Sequence, residues 1–386
     1  MDFLNNLDGL DLDKKIIGIN FFTVNTKISS GRMHGQTNNI KPLGFVSVNV
    51  EGFTGISEIY AATYISIGLR SIFEYLNHSL KNKTIKETIE ILDNFSIPFV
   101  SRNGVFKASI GSLENAFMDL CAKIIGIPLY KMIGNNDVFP KIYASGGSVI
   151  CSEEEIREES IQVEQMGYEG YKIRVGLQEW AVDKERIMAM RGISIKKMVD
   201  AIGGTRVPCW SYEEALQKLN FLENEGIYWL EEPLYPDEYL EHNKLQKSSS
   251  IHIAAGEAYS GFGELKNLVD IGNIDVIQFD ACHSGGISVC KSISNYSMKV
   301  NKKTAIHVWG SSIAMRTNFH LALSLEQLDF LEKPLIELEI DKLLGHEFTT
   351  LDSLKNSIKE LPGIGVEIED FKNVQIDNSF GYEYKW

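Results

Sequence analysis

The sequence offers little that would seat the chain in a membrane, cross-link it or draw it to a polyanion. No apolar run approaches the roughly 18 residues that a membrane helix needs. The cysteines Cys121, Cys151, Cys209, Cys282 and Cys290 are five in number, an odd count, and none falls at metal-ligand spacing. That argues against a disulfide scaffold or a zinc site and suits free thiols in a reducing compartment. Basic residues are in the minority. Lys and Arg total 38 against 52 Asp and Glu, for a net charge of -14. Nucleic acid and anionic membrane surfaces are therefore poor partners, and an anionic substrate needs positive charge gathered locally. No strand-like segment leads into a glycine-rich phosphate fingerprint, which counts against a dinucleotide fold. The opening stretch MDFLNNLDGLDLDKK is acidic and has no apolar core. No signal peptide is expected from it, and the cytoplasm is the expected location.

What is present is the composition of a globular protein, 44% apolar and 23% charged over 386 residues, enough for more than one domain. Residues 1–13 read as a polar extension. Residues 15–60 alternate in IIGINFFTVNTK and GFVSVNVEGFTGISEIY, predicting a small antiparallel sheet. Between those runs, SSGRMHGQTNNIKP lacks periodicity and reads as a loop. From about 62 to 135 the apolar spacing turns to three and four, as in TIKETIEILDNF and ASIGSLENAFMDLCAKIIG, predicting helices. After about residue 138 short apolar runs alternate with helical stretches: KIYASGG, YKIRVG, KKMVDA, YWLEEP, IHIAAGE, DVIQFDA, KTAIHVW and DFLEKPL. Eight such runs predict a parallel (β/α)8-type barrel. The expected organisation is an α+β capping domain at 1–137, a barrel at 138–350, and a segment 351–386 that returns to the capping domain.

Three acids end three successive strand candidates: Asp200, Glu231 and Glu257. In a barrel that register brings all three to the mouth, where carboxylates repel unless a hard cation sits among them. All-oxygen donors without Cys or His point to Mg2+. The pattern continues around the barrel. Lys172 and Arg174 end the second strand, Asp280 the sixth, His307 the seventh and Glu332 the eighth. Strand residues two apart share a face, so Lys172 and Arg174 both point at the site, while Lys333 points out. By the same alternation only one of Glu231 and Glu232 is expected to face inward.

The order Lys-x-Arg, Asp, Glu-Glu-Pro, Gly-Glu, Asp, His, Glu resembles the enolase superfamily, in its mandelate racemase subgroup. The likeness extends to NGVFKASIGSLENAFMDLCAKIIGIPLYKMIG in the capping domain, while HVWGSSIAM and PGIGVEI look like the acid-sugar dehydratase and cycloisomerase branches. The resemblance implies one Mg2+ per subunit on Asp200, Glu231 and Glu257, and removal of a proton next to the substrate's carboxylate. It implies His307 as general base with Asp280 as its partner, and a protonated Glu332 donating to the substrate carboxylate. Two positions depart from the family's pattern. Arg174 stands where racemases carry a second lysine, and arginine is a poor base; Lys172 keeps a second base available. Ile202 stands where Asn is usual.

Substrate contacts are expected from the polar loop bearing Arg32, His34, Gln36 and Asn38. Tyr60, Tyr64, Arg102, Asn103 and His283 complete the set. Such short polar groups suit a small polyhydroxy carboxylate. The implied function is dehydration of an aldonate or aldarate, with cycloisomerisation or epimerisation on the same intermediate as the alternative. A homo-oligomer is expected.

Overall fold

The computed structural model describes residues 7–30, 39–134, 138–205, 208–348, 350–358 and 361–377. The alternating N-terminal segments form antiparallel strands β1 (Gly18–Ser30), β2 (Ile40–Val50) and β3 (Phe53–Glu58). Helices α1 (Ala62–Leu80), α2 (Ile85–Asp93), α3 (Gly104–Ile125) and α4 (Leu129–Ile133) follow. α2 starts where the sequence supplies a capping box: Thr84 Oγ1 accepts from the Glu87 amide, and the Glu87 carboxylate accepts from the Thr84 amide. α1 turns its apolar stripe, Leu69, Phe73 and Leu76, into the shared core.

The second part is a closed barrel of parallel strands. They are β4 (Ile142–Ser145), β5 (Gly170–Arg174), β6 (Lys196–Asp200), β7 (Trp229–Glu231), β8 (His252–Ala255), β9 (Val276–Phe279), β10 (Lys303–Ile306) and β11 (Phe330–Pro334). Helices α5 (Glu153–Gln165), α6 (Trp180–Met188), α7 (Tyr212–Asn224), α8 (Tyr239–Lys247), α9 (Phe262–Asp270), α10 (Gly286–Lys299) and α11 (Ser312–Ala322) connect them. α5 and α7 open with the same Ser-x-x-Glu boxes, Ser152 with Glu155 and Ser211 with Glu214. The barrel with an α+β cap is the fold that the periodicity predicts. Beyond β11, the short strand β12 (Glu337–Leu338) joins the cap sheet beside β1. Helices α12 (Glu339–Leu344) and α13 (Leu351–Ile358) and a 3-10 turn at Ile368–Asn373 follow. Phe371 of that turn packs edge-on against Phe22 and Phe45, each 5.2 Å away. Among the described residues no helix is long and apolar enough to cross a membrane.

The barrel interior is layered. Tyr143, Met198, Trp229, Ala254, Val276, Ala305 and Phe330 form one buried apolar layer. Asp200, Glu231 and Glu332 lie two residues further along the strands that supply Met198, Trp229 and Phe330, so they occupy the next layer toward the mouth. The apolar layer closes the interior on one side, and the capping domain covers the other. That seam is tight. A Cβ on Gly111 of α3 would lie 2.1 Å from the carbonyl carbon of Gly285 and 2.2 Å from the amide nitrogen of Gly286. Beside it, the Asn115 side chain donates to Ala281 O at 2.8 Å and accepts from the Ile287 amide at 3.0 Å. A methyl group therefore has no room. Gly111→Ala is expected to lower unfolding free energy by about 1–3 kcal/mol, the usual cost of overpacking. Thermal or denaturant unfolding checks this, and an unchanged midpoint would show that cap and barrel separate easily.

Candidate active site

Strand pairing brings the ionisable groups together. Arg174, Asp200 and Glu231 are in register across β5, β6 and β7. Glu257 follows the end of β8, Asp280 follows β9, His307 follows β10, and Glu332 lies within β11. Lys172 is 1% exposed and stands among three carboxylates. Its Nζ lies 2.5 Å from Glu231 Oε1, 3.2 Å from Glu332 Oε1 and 3.8 Å from Asp200 Oδ2. Arg174 faces the same cluster, with Nε 3.6 Å from Asp200 Oδ2 and Nη2 3.9 Å from Glu332 Oε1. The expectation that both basic residues of β5 point at the site agrees with these distances.

His307 Nδ1 lies 3.0 Å from Asp280 Oδ2, and Nε2 lies 3.4 Å from Glu257 Oε2. Asp280 Oδ1 accepts from the Cys282 amide at 2.8 Å and from Asn318 Nδ2 at 2.7 Å. The carboxylate is thus fixed, and because it only accepts, it places a proton on Nδ1 and turns Nε2 toward Glu257 and the mouth. Burial alone would lower the His307 pKa. Glu257, the hydrogen bond to Asp280 and the Glu332 charge outweigh that and raise it to about 10.

Burial raises Asp200, Glu231 and Glu257, and neighbouring carboxylates add to each rise. Glu332 shifts the other way. Burial would raise it, but Lys172, His307 and Arg174 together hold it at about 2. Its Oε2 accepts from the Val308 amide at 3.0 Å.

A correction concerns Glu232. Strict alternation would turn it away from the mouth. Instead it has φ +42, and its carboxyl group lines a cavity of about 530 Å³ together with Glu257. The left-handed backbone breaks the pleat, so consecutive glutamates both face the site. Ile202, at the facing strand end, is also left-handed at φ +48, and its amide donates to Asp200 Oδ1 at 2.7 Å. A β-branched residue in that region is strained, and such strain gathers at functional sites.

The cavity lies under the cap. Tyr60 and Tyr64 from the start of α1 line it, with His283 and Ser260 from the barrel. The two tyrosine hydroxyls are 2.9 Å apart. The Tyr60 ring meets His283 at 5.5 Å and His307 at 5.6 Å. His283 is neutral, its pKa lowered by burial to about 4, and its Nδ1 has no hydrogen-bond partner among the described residues. Arg102 does not line this cavity. It is exposed, while Gly104 and Val105, past a left-handed turn at Gly104 (φ +64), take the lining positions. Arg32, His34, Gln36 and Asn38 lie outside the described residues.

Asp200, Glu231 and Glu257 suit a hard divalent cation in kind. All donors are oxygens, and with Glu232, Glu332 and Asp280 they outnumber Lys172, Arg174 and His307. They do not yet converge: among the described residues no three His, Cys, Asp or Glu side chains are grouped to hold one ion. Lys172 draws Glu231 inward and His307 engages Glu257.

Residues 155–372 match the family model described as "Enolase C-terminal domain-like". Arabinonate dehydratase of Saccharolobus solfataricus is 25% identical over 338 residues, 85% of this chain and 89% of its own length. L-talarate/galactarate dehydratase of Salmonella typhimurium is 26% identical over 319 residues, 79% of this chain and 77% of its own. A solved racemase from Streptomyces coelicolor A3(2), with bound magnesium, superposes with a TM-score of 0.77. It is 19% identical, covering 93% of this chain and 98% of that one.

Lys172 is the countercharge on which the cluster depends. Lys172→Met is expected to destabilise metal-free protein by about 3–5 kcal/mol, the cost of leaving buried carboxylates unpaired. Denaturant unfolding measures this. A variant as stable as the parent would mean that those carboxylates are already neutral.

Proposed function

The chain belongs to the enolase C-terminal domain-like family, and from that premise we propose that it is a Mg2+-dependent acid-sugar dehydratase. The observation that carries the reading is the pairing of His307 with Asp280 beside three carboxylates at the barrel mouth, Asp200 and Glu231 buried and Glu257 half-buried. The trio Asp200, Glu231 and Glu257 would hold the ion. Bound there, it would supply positive charge to the substrate carboxylate, where negative charge grows as the adjacent proton leaves.

The chain's own groups do the rest. His307 Nε2 takes the α proton, and Asp280 holds the imidazole in the tautomer that leaves Nε2 open to it. His307 must be neutral to act as base. Glu257 is the main charge that keeps it protonated, so engaging Glu257 in ligation favours the base form. Lys172 and Arg174 remain cationic and face the anionic end of the substrate. Tyr60 closes over His307 from the cap and keeps bulk water from the reacting carbon. Loss of the β hydroxyl then completes a dehydration, with His307, now protonated, as the acid at hand.

The isomerase alternative requires a second base or an internal nucleophile. Lys172 is a weak candidate for that base, because Glu231, Glu332 and Asp200 hold its ammonium protonated. Two-base epimerisation is disfavoured on that ground.

Proton NMR in D2O with Mg2+ and a panel of aldonates and aldarates tests the proposal. A 2-keto-3-deoxy product is expected, and His307→Asn is expected to slow its formation by about 10²–10⁴-fold, the usual contribution of general-base catalysis. Deuterium entering the α position without loss of water would replace the dehydratase by an isomerase. No exchange with any acid sugar would overturn the reading.

A further inference from the structure

The cavity beneath the cap contains a carboxyl group that the chemistry above does not use. Glu232 is 3% exposed and lines the cavity beside Glu257. Its main chain is pinned on both sides: its amide donates to Ala254 O at 2.9 Å, and its carbonyl accepts from the Gly203 amide at 2.9 Å. Together with φ +42 this directs the side chain toward the mouth instead of the barrel wall. The neighbouring loop is shaped around it. The Gly204 amide donates to Glu232 Oε2 at 2.9 Å, and a Cβ on Gly204 would lie 2.7 Å from Glu232 Oε1. A Cβ on Gly203 would lie 2.4 Å from Glu232 O. Two consecutive glycines thus leave room for one glutamate at a fixed place in the substrate cavity.

The rest of the lining has the same character. Hydroxyl and imidazole groups come from Tyr60, Tyr64, Ser260 and His283, and a third carboxyl group from Glu264. Among the described residues that line the cavity, none is Lys or Arg. Lys172 and Arg174 do not line it; they are engaged with Asp200, Glu231 and Glu332, and Arg174 lines a separate cavity beside Trp309. A substrate held by one carboxylate at the inner cluster directs its tail into this space. A hydroxylated tail finds acceptors there. Among the described residues a second carboxylate on the tail would meet the carboxyl groups of Glu232, Glu257 and Glu264 and no Lys or Arg, and it would shed its water at a cost.

We propose that Glu232 is a specificity-determining residue that accepts hydrogen bonds from tail hydroxyls, so that the site takes monocarboxylic, aldonate-type acid sugars in preference to dicarboxylic ones. This rests on the acid-sugar reading of the same site and narrows it.

The test compares kcat/KM for aldonate and aldarate panels with Mg2+, in the parent, Glu232→Gln and Gly204→Ala. Direct binding of each substrate to His307→Asn protein, which does not turn it over, gives a second readout. The parent is expected to favour aldonates at least tenfold in both readouts. Glu232→Gln keeps an acceptor for the Gly204 amide, and it is expected to narrow the aldonate-to-aldarate ratio about tenfold, the size of one hydrogen bond to a charged group. Gly204→Ala, which displaces the same carboxyl group, is expected to shift the ratio in the same direction. A loss of fold alone would scale both panels together and leave the ratio where it was, and that result overturns the proposal. Preference for aldarates overturns it too while leaving the dehydratase reading intact. Neither binding nor turnover of either panel overturns both.

Discussion

The burial of more carboxylates than cations at one end of a barrel constrains everything else in this molecule. Asp200, Glu231, Glu332 and Asp280 are buried with Glu257 half-buried beside them, and the five share Lys172, Arg174 and His307 as their countercharges. Such a cluster survives only where the chain compensates for lost hydration. The apolar layer from Tyr143 to Phe330 supports it from one side. Trp229 links the two layers, contributing its ring to the apolar one and its Nε1–H to Glu231 Oε2 at 3.1 Å. The surplus negative charge is also what makes a divalent cation the natural complement, so stability and proposed catalysis share one cause.

The capping domain is fastened to this cluster by buried polar contacts as well as by close glycine packing. Lys41 of β2 is fully buried, donates to Trp309 O at 2.9 Å, and lies 4.7 Å above the Trp309 ring. Arg174 lies 4.8 Å from the same ring centroid, so one indole contacts a cation of the cap and a cation of the site. Glu58 of β3 accepts from the Ser311 amide at 3.0 Å. Its pKa, raised chiefly by burial, is about 7. Trp309 follows His307 by two residues, so the cap grips the loop that carries the proposed base. Placement of the cap and placement of that base are therefore mechanically linked.

Much of this was legible in the sequence for a specific reason. Barrel strands repeat an apolar run, a turn and a helix, and an ionisable residue at the end of run after run stands out against that background. The period-two pleat then assigns a face, correctly for Lys172 with Arg174 and for Glu231. It fails at Glu232, where a left-handed backbone overrides alternation, and no local pattern announced this except the adjacent pair of glutamates and the Gly203-Gly204 pair packed against them. Arg102 was misplaced because a turn at Gly104 shifts the lining by two residues. Lys41, Glu58 and Trp309 gave no sign of their partnership, since each becomes meaningful only when the cap is docked.

The account stands or falls on whether the buried carboxylates are a cation site. Calorimetric titration of metal-free protein with Mg2+ tests this most directly, with Asp200→Asn as the paired sample. The account predicts saturation at one Mg2+ per chain in the parent and loss of that binding in the variant. No saturable binding, or binding that Asp200→Asn leaves untouched, would contradict it.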